Sequence, residues 1–127
     1  MKQTSYLRWV LENTKTVWWH DSAEPSELER GIRRGAIGAT TNPYLSHLTL
    51  SSNKDTWAKE IDKVLSEHPE PERKAEELMS IAITHAARQL EPQYEKSAGR
   101  MGYVCAQVNP ARAADRDCML PMARRFH

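Results

Sequence analysis

The sequence predicts an α/β fold with parallel strands, on three observations. Thr16-Val17-Trp18-Trp19-His20 and Tyr103-Val104-Cys105-Ala106-Gln107-Val108 are runs rich in β-branched and aromatic residues, without breakers. Between Thr16 and Thr41 the order is strand, short helix, strand, a βαβ unit whose strands should be parallel with a right-handed crossover. From residue 44 to residue 91, apolar side chains recur every three or four positions, the spacing of helices.

Taken in order, Ser5 to Glu12 is a short helical pattern with Tyr6, Trp9 and Val10 on one side. Strand one, 16–20, closes at Asp21-Ser22. Glu24 then stands near a helix cap and Pro25 at the first helical position, where its missing N–H costs nothing. Leu28 and Ile32, with Gly31, supply the buried face of that helix, and Gly35 stops it. Strand two, 36–41, is made of small residues, as it must be if side chains or substrate crowd one face. Asn42-Pro43 ends it.

A helical insertion over about 44–91 follows. Tyr44 to Leu50 is its first piece. Asp55 to Ser66 places Trp57, Ile61, Val64 and Leu65 on one face, with Asp55 or Asn53 as cap. After a break at 68–71, Glu72 to Leu90 carries Ala75, Leu78, Met79, Ala82, Ile83, Ala86 and Leu90 at helical spacing, which makes Met79 core filler. Pro92 lies beyond its end. Gly99 to Gly102 is a turn into strand three, 103–108, which Asn109-Pro110 ends in echo of Asn42-Pro43. Ala113 to His127 is helical in composition. Pro121 inside it should kink the helix or delay its start to about Asp117.

Composition narrows the function classes. The 127 residues suit one domain. Eighteen Lys and Arg against 17 Asp and Glu argue against nucleic acid or an anionic membrane as partner. Arg33-Arg34 and Arg124-Arg125 sit at expected helix ends, where cations complement the dipole. No apolar run approaches the ~20 residues that span a bilayer, and the N-terminus has no signal-peptide core. Cys105 and Cys118 form neither CxxC nor a metal-like spacing, so a reducing, cytoplasmic compartment is the simplest reading. Histidines 20, 47, 68, 85 and 127 form no HxH or HExxH, so a metal site is not expected; no cofactor is expected either.

In a parallel α/β sheet, chemistry gathers at the carboxyl ends of the strands. Here those ends are Asp21, Asn42 and Gln107. A strand alternates faces with period two. Asp21 therefore shares a face with Trp19 and Val17, Asn42 with Thr40 and Gly38, and Gln107 with Cys105 and Tyr103. Val104, Ala106 and Val108 would face the helices. Each polar end also has a plainer use open to it: Asp21 as a helix cap, Asn42 as half of a turn with Pro43, Gln107 as a surface residue.

At this point the residues resemble a known family. Gly35-Ala36-Ile37-Gly38-Ala39-Thr40-Thr41-Asn42-Pro43 resembles the transaldolase signature of the second barrel strand. Trp19-His20-Asp21-Ser22 looks like that family's first strand with its catalytic aspartate, and Gly102 to Pro110 like its third. The insertion is similar to that of the larger transaldolases, not to the short fructose-6-phosphate-aldolase branch. The resemblance implies a (β/α)8 TIM barrel, of which the chain would hold the first three β/α units. It implies transfer of a dihydroxyacetone unit between sugar phosphates through a lysine Schiff base, in the pentose phosphate pathway. Asp21 would be the acid/base, Asn42 would hydrogen-bond the dihydroxyacetone hydroxyls, and Thr40 and Thr41 would flank it. Gln107 stands where transaldolases place a glutamate. An amide orients water but takes no proton, and the aldolase branch has glutamine there.

The resemblance places the family's lysine on a fourth strand, expected after His127, and its phosphate-binding groups on later strands. The seven lysines present, at 2, 15, 54, 59, 63, 74 and 96, are at the wrong places to replace it. The chain by itself is therefore expected to be inactive. The alternative reading is a non-catalytic truncated or split barrel half, which associates with itself or with a complementing chain.

Overall fold

A computed structural model describes residues 6–127. Six helices and two short strands follow one another: α1 (Tyr6–Asn13), α2 (Pro25–Arg33), β1 (Gly38–Thr40), α3 (Pro43–Ser52), α4 (Lys54–Glu67), α5 (Pro71–Lys96), β2 (Tyr103–Cys105) and, after a 3-10 turn at Pro110–Arg112, α6 (Arg116–Phe126). Ser5, where the first helix was expected to begin, lies outside the described residues.

The sheet is parallel, as expected, but shorter. β1 pairs β2 with Gly38 opposite Tyr103, Ala39 opposite Val104 and Thr40 opposite Cys105. Strand one contracts to a single parallel bridge, His20 with Ala39. Its backbone still follows β1: Ile37 N donates to Trp18 O (3.0 Å), His20 N to Gly38 O (2.9 Å) and Thr40 N to His20 O (2.8 Å). Residues 18–20, β1 and β2 thus lie side by side in chain order. Thr16 and Val17 have no described strand partner because β1 begins only at Gly38, and Thr16 N donates instead to Thr14 Oγ1 (3.0 Å). Residues 106–108 lose theirs because Pro43 turns β1's continuation into α3.

The helices follow from local chemistry. Glu24 caps α2, its Oε2 accepting from Glu27 N (2.7 Å) and from the Ser26 hydroxyl (2.6 Å). Those hydrogen bonds outweigh burial, which pushes the Glu24 carboxyl up, and leave it below the usual carboxylate range. Asn53 occupies the cap position of α4 but its side chain makes no capping bond, contrary to expectation. Leu65 is also corrected: it is 48% exposed, because α4 meets α5 through Trp57, Ile61 and Val64, and Leu65 lies about 100° off that seam. Against α4, the His85 ring meets the Trp57 ring edge-on at 5.0 Å. Burial, with the nearby Arg88, holds this imidazole below the ordinary histidine value.

α5 is the spine. It touches α2, α3, α4 and β2, and its Ala82, Ala86 and Leu90 join Ala23, Leu28 and Ala39 in the core, with Ile32 and Val104 packed against them. The helix runs through Pro92 rather than stopping before it. Its side chains there are engaged: Gln89 Nε2 donates to Pro25 O (3.2 Å) and Gln93 Nε2 to Ala36 O (2.9 Å). These bonds tie the last turns to the βαβ unit and offset the donor that proline lacks. Ala75 is exposed, not buried; the inward place beside it belongs to Glu76. In α6, Pro121 sits five residues after the start at Arg116. At that position the missing N–H costs the bond to the Asp117 carbonyl, yet the helix runs on to Phe126. Asp115 caps this helix through Cys118 N (3.1 Å). No described helix is long and apolar enough to cross a membrane.

Candidate active site

The sheet has one face against helices and one open face. Burial along 103–108 alternates: Tyr103, Cys105 and Gln107 are exposed, while Val104, Ala106 and Val108 are half-buried. That is the alternation expected from a period of two. Residues 18–20 are all half-buried and divide by what they touch. His20 packs its ring against Gly31 of α2, where a Cβ would lie 2.9 Å from the imidazole. Trp19 instead lies over Gly38, where a Cβ would come within 2.7 Å of the indole. The small residues of β1 make room for a neighbouring side chain of the same sheet.

At the carboxyl end of this open face, Asp21 and Thr40 meet. Thr40 Oγ1 donates to Asp21 Oδ1 at 2.6 Å. The plainer use open to Asp21, capping α2, is not realised: Glu24 caps that helix, as expected, and Ser22 Oγ accepts from Glu24 N (3.1 Å). Asp21 is exposed, and Thr40 engages one of its two oxygens. A threonine hydroxyl carries a single proton. Thr40 spends it on Asp21 and has only lone pairs left to offer a ligand.

The neighbouring candidates are placed differently. Thr41 is buried and points away from the open face. Its N–H and its hydroxyl both donate to Cys105 O, at 2.9 and 3.2 Å, so it ties the end of β1 to the end of β2. Asn42 caps α3, its Oδ1 accepting from Leu45 N (2.8 Å). The plainer use open to Asn42 is thus realised as a helix cap rather than a turn, and its Nδ2 remains as a donor. Gln107 is exposed on the same side as Cys105, two residues past β2. No hydrogen bond joins it to Asp21 or Asn42.

Cys105 is a site-face residue that pattern reading did not single out. It is exposed, with its thiol free, and stands in register beside Thr40. The sequence signal was the alternation itself. None of residues 18–21, 38–42 or 103–107 is a lysine. Among the described residues no group of three or more His, Cys, Asp or Glu side chains could hold a metal ion.

Comparison with known proteins adds a lineage to this geometry. Residues 18–127 match the family model described as transaldolase/fructose-6-phosphate aldolase. The chain is 33% identical over 92 residues to a transaldolase of Thiobacillus denitrificans, an alignment that covers 72% of this chain and 25% of that protein. It is 23% identical over 104 residues to a transaldolase of Neisseria gonorrhoeae, covering 82% of this chain and 29% of that protein. The chain thus spans less than a third of the length of either relative.

Proposed function

The chain belongs to the transaldolase/fructose-6-phosphate aldolase family, and from that premise we propose that it supplies the acid/base portion of a transaldolase active site. The observation that carries this reading is the Asp21–Thr40 hydrogen bond at the carboxyl end of an open parallel sheet. In this reading residues 1–127 are the first three β/α units of a TIM barrel. A lysine on a later strand forms the Schiff base with a ketose phosphate, which splits one hard carbon–carbon cleavage into two easier covalent steps. Asp21 takes the proton of the substrate hydroxyl as the carbon–carbon bond breaks and returns it to the incoming aldehyde oxygen. Thr40 fixes the direction of the carboxylate. Asn42 Nδ2 donates to a hydroxyl of the dihydroxyacetone unit. Gln107 orients the water that imine formation releases and hydrolysis consumes.

Borohydride trapping tests the division of labour. With a ketose phosphate, the 127-residue chain alone is expected to yield no reduced covalent adduct and no aldol cleavage. A stable adduct on any of its seven lysines would overturn the assignment.

The open face supports a second, compatible reading. Val17 is 51% and Tyr103 46% exposed, and Trp19 is only half-buried. Residues 18–20 and β2 are both edges, with backbone groups free to pair. We propose that a further chain, or a second copy of this one, covers them. Sedimentation over a tenfold concentration range around micromolar should show self-association; a well-behaved monomer throughout would refute the second copy.

A further inference from the structure

We propose that the seam between α4 and α5 is a pH-sensitive clasp, closed while His85 is neutral and loosened when its imidazole takes a second proton. The seam lies within the helical insertion. At its centre Trp57 is only 6% exposed, and the His85 ring meets it edge-on at 5.0 Å. Trp57 and Val64 are the buried residues of α4. Trp57 is the larger of the two, so what happens beside it bears directly on how α4 docks.

Two polar atoms are buried here, Trp57 Nε1 and His85 Nε2, and neither has a hydrogen-bond partner among the described residues. An indole N–H can only donate, whereas a neutral imidazole can carry its single proton on either nitrogen. With that proton on Nδ1, Nε2 keeps a bare lone pair, which a closed seam tolerates at modest cost. A second proton must go to Nε2. It would place a charged donor where no acceptor stands, and an unpaired buried charge costs far more than an unpaired lone pair.

The charged groups around the ring do not relieve this. α4 brings Glu60, Lys63 and Glu67 to the groove beside the seam, with His68 at its end, and α5 brings Glu77 and Arg88; no residue of α3 lines it. Glu77 is engaged by Arg73. From the cap of α2, Glu24 favours the charged ring, but its carboxylate accepts from Glu27 N and the Ser26 hydroxyl. None of these carboxylates accepts a hydrogen bond from Nε2. Burial first, then the charge of Arg88, outweigh Glu24 and hold the imidazole below the ordinary histidine value. Docking therefore favours the neutral ring. The stability it contributes is complete above the ordinary histidine value and is lost as pH falls through that value towards the lower one of the docked state.

Hydrogen exchange on the whole chain at about pH 7.5 and about pH 5.5, with rates corrected for their intrinsic pH dependence, tests this. Amides of 58–67 should lose protection about threefold or more at the lower pH, beyond any loss in 38–40 and 86–90. His85→Phe keeps a ring against Trp57 but cannot take a proton, and in it that loss should vanish. His68→Gln removes the other histidine of the groove, and in it the loss should persist. Unchanged protection of α4 in the wild type would overturn the clasp. So would an acid loss that survives in His85→Phe or disappears in His68→Gln. Should His85→Phe fail to fold, the wild-type imidazole resonances decide: the loss must follow the titration of His85, and a midpoint at or above the ordinary histidine value would equally refute the proposal.

Discussion

In the complete enzyme, Asp21→Ala is expected to lower turnover by roughly 10²-fold or more, the usual scale for a positioned acid/base. Stability should change little. The carboxylate is exposed and makes one described hydrogen bond, from Thr40, and an exposed hydrogen bond is worth only about 1 kcal/mol. Asp21→Asn sharpens the test, because the amide still accepts from Thr40 but can no longer take a proton. If the aspartate merely positioned substrate, Asn would keep much of the rate; if it transfers the proton, Asn should be nearly as slow as Ala. Turnover in a coupled assay, beside a thermal melt, separates these outcomes, and near-normal turnover of both variants would remove Asp21 from the mechanism. Asn42 is a less clean probe. Its Oδ1 caps α3, so Asn42→Ala would mix a lost substrate contact with about 1 kcal/mol of lost stability.

The largest effect on folding is expected at Gly102. This residue has φ +87°, and a Cβ there would stand 2.5 Å from the Tyr94 backbone nitrogen and 2.8 Å from the Leu90 carbonyl oxygen. Those atoms belong to the backbone of α5 and cannot swing aside. Gly102 N also donates to Ile37 O at 2.8 Å, the bond that sets the entry of β2 beside β1. Gly102→Ala must therefore accept the left-handed penalty and push the strand off the helix. We expect a loss of about 4 kcal/mol or more, a large part of an ordinary domain's stability. Gly99 is the control. Its φ is +76°, yet its nearest neighbours are Tyr94 ring atoms at 3.4 Å and beyond, so Gly99→Ala should cost only the conformational term, about 1–2 kcal/mol. Urea titrations of both variants decide the matter; equal losses would show that the close approach to α5 does not matter.

Much of this arrangement was readable in the residues, and the failures have physical causes. Glu24-Pro25, Asn42-Pro43 and the two-residue alternation over 103–108 each state a local preference that the fold keeps. Strand lengths were not readable, because pairing depends on a neighbour: Thr16-Val17 is as β-prone as any run in the chain, but β1 starts too late to meet it. Glu76 was missed although it stands in register with Met79, Ile83, Ala86 and Leu90. A charge at a seam position reads as an error of pattern unless its partner is known, and Arg125 is 49 residues away. The candidate site was half legible. Asp21 and Thr40 meet, as a shared face requires. Thr41 could not be told from Thr40 by type; only the direction of the pleat assigns one to the open face and the other to Cys105.

The order of the sheet bears on how such a chain is made. Residues 18–20, β1 and β2 neighbour one another in the order in which a ribosome delivers them. Each new strand meets an edge already present and need not displace an earlier pairing. The long-range step is the closure between β1 and β2, with α3, α4 and α5 lying between them. Non-local pairings of this kind are slow to form. α5 shortens that search: through Gln89 and Gln93 it is fastened to Pro25 and Ala36, and the turn that follows it delivers Gly102 to Ile37. In the folded chain the insertion thus acts as a splint that holds β2 at its edge.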